Sequence, residues 1–290
     1  MTRQNTRTGI ALMIAAVLAL SVQDGLSRLL GGRYDVLMVV MIRYWFFAGF
    51  VLAVALRRPG GIRAQTTTQP LIHLARAALL VTEVCVMVKA YTLIGLGNTH
   101  AIFASCPLII TALSGPLLGE RVGWQRWVAI GIGFAGMLVM LQPGSGLFAW
   151  AALLPLASAT MFGLYSLLTR LATRTEDSFT SLFWSGISGS ALMTIAGASH
   201  WQAVSGPDWG WMALYGSIAV LANWLLIRCY EEAEASAVQP FAYLQLVFVA
   251  AIGVAFFDES LQWNVVIGAA IVVAAGIVTI WNSRSNGVAA

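Results

Sequence analysis

KAYTLIGLGNTHAIFASCPLIITALSGPLLGERVGW, residues Lys89 to Trp124, is answered 139 residues further on by RCYEEAEASAVQPFAYLQLVFVAAIGVAFFDESLQW, residues Arg228 to Trp263. Without a gap, Lys89-Ala90-Tyr91 falls on Arg228-Cys229-Tyr230 and Gly119-Glu120 on Asp258-Glu259. Trp124 falls on Trp263, and Ala135 on Ala274 beyond it. Each stretch is an apolar run, an acidic turn and the start of another apolar run. The chain is a tandem repeat, and its repeating unit is hydrophobic.

Outward from these stretches, ten apolar segments fill the 290 residues, at approximately 8–30, 35–56, 70–94, 97–119, 124–141, 147–170, 178–198, 209–230, 236–257 and 263–281. Such lengths suit a hydrocarbon core about 30 Å thick, which takes about 20 helical residues to cross. The chain is 59% hydrophobic and 10% charged, where a soluble domain carries about 25% charged residues. The longest polar connector, Arg57 to Gln69, is too short for a soluble catalytic domain. The expected fold is an all-α membrane protein of ten transmembrane helices in two five-helix repeats, 1–145 and 146–290. Five is odd, so the second repeat enters the membrane from the opposite side, an inverted-topology repeat.

Charge orients the chain. With the N-terminus in the cytoplasm, the inner connectors hold Arg3, Arg7, Arg57, Arg58, Arg63, Arg121, Arg126, Arg170, Arg174, Arg228 and Arg284, while the outer side holds Arg33, with Arg28 at a helix end. This positive-inside bias predicts two cytoplasmic termini in a bacterial-type inner membrane. The net charge of +4 is an orientation signal and points to no nucleic-acid partner. The first apolar run continues to about Leu30 without a small-residue cleavage site, so it reads as a membrane helix, not a signal peptide. Cys85, Cys106 and Cys229 lie inside apolar segments and form neither a disulfide framework nor a metal site. No cofactor is expected.

Ionisable residues inside membrane helices are costly and mark function by default. Asp24 and Arg28 share a helix face. They line an outer vestibule or, with Arg43, tie the first two helices together. Arg76 and Glu83 lie seven residues apart on the third helix, about 10 Å of rise. Glu83 is near mid-membrane, either a site for a proton or a substrate amine, or a buried anchor. Lys89, the only lysine, and its repeat mate Arg228 are cationic gates for a substrate carboxylate or snorkelling helix-end charges. His100, with its mate Gln239, and Tyr243 place polar groups at matching depths in the fourth and ninth helices. They face a cavity or form interhelical hydrogen bonds. Pro107 and Pro240 loosen the backbone there. Phe103, Tyr165 and Trp224 are candidates for an aromatic wall or for packing.

Gly131-Ile132-Gly133-Phe134-Ala135-Gly136 spells a dinucleotide-loop motif, but it lies in a membrane helix with no preceding strand. Small residues here and from Gly268 to Gly276 permit close helix packing. The fifth and tenth helices are thereby a scaffold or a homodimer face.

Several of these residues resemble the drug/metabolite transporter superfamily, in its ten-helix EamA-like branch. The first half contributes Tyr91-Thr92-Leu93, Ala101, Ala104, Cys106-Pro107-Leu108, Leu118-Gly119-Glu120-Arg121, Trp124, Gly131 and Gly136. The second contributes Tyr230, Ala233, Pro240, Leu244, Leu246, Asp258-Glu259-Ser260-Leu261, Gly268 and Gly276. The opening Gln23-Asp24-Gly25-Leu26-Ser27-Arg28 with Arg43 fits as well. Asp258 stands where the pattern prefers Gly, and Leu246 where it prefers Pro, so the fourth and ninth helices are expected to kink differently. The resemblance implies a permease that exports amino acids, including aromatic and hydrophobic ones, or other metabolites or drugs.

Two other classes compete. A channel fits poorly with an inverted repeat and no evident filter. A lipid-modifying membrane enzyme would need a catalytic motif, and none of the common ones is present. The expectation is a carrier without catalytic residues, coupled to protons if Glu83 is a protonation site and not an anchor.

Overall fold

The structure, a computed structural model, describes residues 6–118, 124–141, 150–172, 175–232, 238 and 241–287. The Ser145/Gly146 repeat boundary, Gln239, Pro240 and Glu120 lie outside the described residues. Among those described there is no strand. The helices are α1 (Thr6–Gly31), α2 (Val36–Arg57), α3 (Pro70–Ile94), α4 (Leu96–Phe103), α5 (Cys106–Leu118) and α6 (Trp124–Leu141). They continue with α7 (Leu153–Ala172), α8 (Ser178–Gly197), α9 (Gly206–Glu232), α10 (Leu244–Phe257) and α11 (Trp263–Gly287).

Local chemistry sets these bounds. Asp35 caps α2 by accepting from Leu37 N–H at 2.8 Å. Asp177 caps α8, the counterpart helix, by accepting from Phe179 N–H at 3.1 Å. Each satisfies a donor left free by the first helical turn. Pro70 opens α3, where its missing N–H costs nothing.

The expected fourth segment is broken. Ala104 and Ser105 form a turn between α4 and α5, and Pro107 sits in the first turn of α5, where a proline is tolerated. The Ser105 hydroxyl donates to Ile102 O at 2.8 Å. A second turn falls at Tyr243, the position of Ala104 shifted by 139 residues. Both repeats therefore break at the same place, despite the expectation of different kinks.

Helix pairing defines the architecture. α1 lies along α9, answered by α3 along α7. α1 on α10 is answered by α5 on α7, and α2 on α9 by α3 on α8. α2 pairs with α8 and α6 with α11. With α4 and α5 counted as one broken helix, exchanging each helix for its repeat mate leaves this pattern unchanged. An axis in the membrane plane relating inverted repeats produces that invariance.

By length and composition, five described spans could cross a membrane: Arg7–Gly31, Val36–Arg57, Pro70–Ile94, Leu96–Ser114 and Gly206–Cys229. Shorter apolar helices accompany them. α8 is diluted by serines, but Ser181 and Ser185 are buried against neighbouring helices. Trp201, Trp209, Trp211 and Trp263 are exposed, as an interfacial belt requires.

Small residues bring α6 and α11 into backbone contact. A Cβ on Gly136 would stand 2.9 Å from Gly268 O, and one on Gly268 would meet Met140 and Gly136 O. These glycines, which suggested a dimer face, are engaged within the chain.

Candidate functional site

A cavity of about 340 Å³ lies between the two halves, at the lower end of the roughly 300–1,000 Å³ of small-molecule sites. α1 presents Gln23, Asp24 and Ser27 to it, and α2 presents Arg43 and Tyr44. α3 supplies Glu83 and Tyr91, and α4 supplies His100 and Phe103. From the second half come Phe162 and Tyr165 on α7, Tyr215 and Asn223 on α9, and Gln245 on α10.

The polar groups bond across the halves. Asp24 Oδ2 accepts from Gln245 Nε2 at 3.1 Å and lies 3.1 Å from His100 Nε2. His100 also meets the Tyr91 hydroxyl at 2.9 Å, and the two rings stack at 5.5 Å. The Ser158 hydroxyl of α7 lies 3.0 Å from Glu83 Oε1. The Arg43 guanidinium stands 6.0 Å from the Tyr215 ring centroid. One wall is an aromatic ladder: His100 to Phe103 at 6.2 Å, Phe103 to Phe162 at 5.7 Å and Phe162 to Tyr165 at 5.8 Å. Such a chamber can hold a molecule carrying both charge signs and a flat or apolar part.

Of the residues singled out from sequence, Glu83, His100, Phe103 and Tyr165 converge on this cavity. Asp24 and Arg43, read as vestibule or structural charges, face it too. Arg28 does not pair with Asp24, because it reaches the other way and forms an ion pair with Glu259. Lys89 is exposed on α3 and Arg228 on α9, and neither lines the cavity. Trp224 is also outside it, 46% exposed. Tyr243 lies instead in a separate apolar pocket between α4, α10 and α11.

Tyr91, Phe162, Asn223 and Tyr215 were not singled out as single site residues. For Tyr91 a signal existed, since the Lys89-Ala90-Tyr91 match drew attention to the right turn of helix. Tyr215 and Asn223 carry no pattern that separates them from packing residues.

Arg76 belongs to a second cluster at the N-terminal end of α3. It is 1% exposed and donates to Thr169 Oγ1 at 3.0 Å and Ser181 Oγ at 2.6 Å. Its guanidinium lies 2.9 Å from His73 Nδ1, and His73 Nε2 lies 2.7 Å from Glu176 Oε2. An arginine can only donate, which assigns the neutral, Nε2-protonated tautomer to His73. Burial pushes the Glu176 carboxyl up, but hydrogen bonds from Thr67, His73 and Thr68 N–H outweigh it and hold the group down at about 2. On the other face, Asp208 accepts from Arg33 at 2.8 Å and Tyr34 at 2.7 Å. Each cluster ties a connector of one half to the third helix of the other.

These features define a two-repeat helical membrane protein with a solute-sized chamber between its halves, the architecture of a transporter. The sequence pattern of the EamA-like transporter family matches residues 7–142 and again 149–281, and the chain belongs to that family. It is 25% identical over 277 residues to an S-adenosylmethionine uptake transporter of Rickettsia felis, covering 96% of this chain and 94% of that one. It is 30% identical over 240 residues to a riboflavin transporter of Rhizobium johnstonii, covering 81% and 78%. A riboflavin transporter of Vibrio cholerae is 26% identical over 283 residues, covering 96% and 95%. A solved crystal structure of a protein shares the fold, with a TM-score of 0.64 at 17% identity, over 95% of this chain and 98% of that one. The chain is an integral membrane protein of the metabolite-transporter type.

Proposed function

We propose that the chain is a secondary transporter that carries small amphoteric metabolites through the central cavity by alternating access, amino acids with aromatic or aliphatic side chains first among them. The observation behind this reading is one cavity lined by Arg43, Asp24 and Glu83 beside the aromatic wall. Arg43 takes the place first assigned to Lys89 and receives the substrate carboxylate. Asp24 receives the ammonium group, and Phe103, Phe162 and Tyr165 pack on the side chain. Glu83 carries the coupling proton. Export is the direction read first, with both termini cytoplasmic in a bacterial-type inner membrane. A carrier of this build is reversible, so the prevailing gradient sets the direction. A homodimer would use the outer face of α6, where Gly131 and Phe134 are exposed.

The names of the relatives widen the substrate panel. S-adenosylmethionine has an amino-acid head and a flat base, and riboflavin has a flat ring and a polar chain. Both suit a chamber with polar groups at one side and rings at the other.

Counterflow in liposomes tests the reading. Vesicles are loaded with unlabelled amino acids, S-adenosylmethionine or riboflavin, and labelled phenylalanine, S-adenosylmethionine or riboflavin is followed in turn, with and without a pH gradient. Saturable exchange of phenylalanine supports amino-acid transport. Exchange confined to labelled S-adenosylmethionine or riboflavin keeps the carrier and discards the amino-acid assignment.

A further inference from the structure

The acidic turn that marks the repeat does not take part in the cavity, yet it is built with care. Asp258 is the only described non-glycine residue with a positive φ, +51°. It turns the chain back on α10, so that Glu259 N–H donates to Gly253 O at 3.1 Å. The Glu259 carboxylate then crosses to the first half. It accepts from Leu96 N–H at 2.7 Å and Gly97 N–H at 3.0 Å, the free donors at the start of α4. It also forms an ion pair with Arg28 of α1, whose guanidinium lies 4.3 Å from the Phe257 ring centroid.

Three glycines make room for this carboxylate. A Cβ on Gly95 would stand 2.7 Å from Glu259 Oε1, and Gly95 has φ +85°. A Cβ on Gly253 or Gly97 would press on the same carboxylate or on Leu261. A carboxylate in such a cradle has one position, and it fixes the eight-residue α4 from its N-terminus.

One turn deeper, the same two helices are joined again. Asp24 lies four residues before Arg28 on α1, and His100 four residues after Leu96 on α4, and Asp24 meets His100 at 3.1 Å. The two links therefore stack along one α1–α4 seam. The deeper one lines the cavity, and the shallower one lies between it and the membrane face that carries Arg33 and Asp208.

We propose that Glu259 is a positioning residue and the latch of that face. It holds α4, and with it His100 and Phe103, in register with α1, and it lets go when the cavity opens toward its side. This rests on the carrier reading, but its test needs no substrate.

A cysteine replaces Leu20, which lines the cavity on α1, in a chain whose Cys85, Cys106 and Cys229 are alanine. Sealed vesicles are treated from each face with an impermeant maleimide. Glu259→Gln is expected to speed labelling about tenfold from the Arg33 face only, since weakening a link worth one decade of equilibrium shifts the open population by that much. Arg28→Met, which leaves the carboxylate on the α4 N–H groups, speeds it less. The reversed pair, Arg28→Glu with Glu259→Arg, does not return to the parent rate, because arginine cannot accept from Leu96 and Gly97. Gly95→Ala, which keeps every charge, speeds labelling as Glu259→Gln does. Detergent melting curves confirm that each variant is folded. Parent-like labelling in both Glu259→Gln and Gly95→Ala, or in the reversed pair, overturns the proposal. A failed counterflow assay would remove the amino-acid reading and leave this one standing.

Discussion

Lys89 and Arg43 show what a sequence conveys about single residues and what it withholds. Both are cations in membrane helices, and both were visible as candidates. Successive helical residues step by about 100°, so two residues separate Lys89 from Tyr91 by about 200°. Tyr91 is buried against His100, and Lys89 points away. Residue type was legible, and azimuth was not, because the polar and charged residues of α3 are spread around the helix among apolar ones and mark no single face. Arg43→Met is expected to raise the KM for counterflow about tenfold or more, as loss of a desolvated charge partner does. Lys89→Met should leave KM at the parent value, and equal effects of the two would remove Arg43 from the site. Glu83→Gln keeps a partner for Ser158 but cannot release a proton. It should abolish the response of transport to a pH gradient while exchange persists, and a parent-like response would place the coupling proton elsewhere. Outside the membrane, Glu176 has a folded-state pKa of about 2, below the roughly 4.3 of a free glutamate. Its contribution to stability is present above that free value and fades as pH falls through about 2. Glu176→Gln should therefore lower Tm at pH 7, and the gap to the parent should narrow in acid.

Among elements, existence and length were nearly all legible, since apolar runs of membrane length leave few alternatives. Partners were harder. The glycines of the fifth and tenth helices were read as a scaffold or a dimer surface, and small residues alone cannot say whether the helix they admit belongs to the same chain. Here Gly136 and Gly268 bring α6 and α11 together. Gly268→Leu must displace Met140 or the facing backbone, and it should cost about 1–3 kcal/mol as an overpacked contact. Gly131, whose added Cβ would meet nothing within 4 Å, should accept leucine with little change in Tm. Similar losses at both sites would show that helix propensity, not the contact, decides the outcome. The break between α4 and α5 had a partial signal in Pro107. The break at Tyr243, its counterpart by repeat position, had a similar partial signal in Pro240, three residues before it.

At the scale of the whole molecule, the repeat and its inversion followed from an odd helix count and the distribution of arginines. The crossed pairing of the helices did not, since periodicity says that a face is buried and not what covers it. α1, α2, α3 and α6 all find their most extensive partners in the other half. Residues 1–145 and 146–290, expressed as separate chains, should each be degraded when alone and restore counterflow when made together. Stable accumulation of either half on its own would contradict the crossed arrangement.

That arrangement also sets an order of events during synthesis. Asp24, Arg28, Glu83 and Arg76 emerge from the ribosome long before Gln245, Glu259, Ser158 and the pair Thr169 and Ser181 that bond them. For as long as the second half is being translated, the first half sits in the bilayer with its charges waiting. Insertion of this protein therefore runs in two stages, in which the cost of placing these charges in the membrane comes first and the bonds that offset it come second.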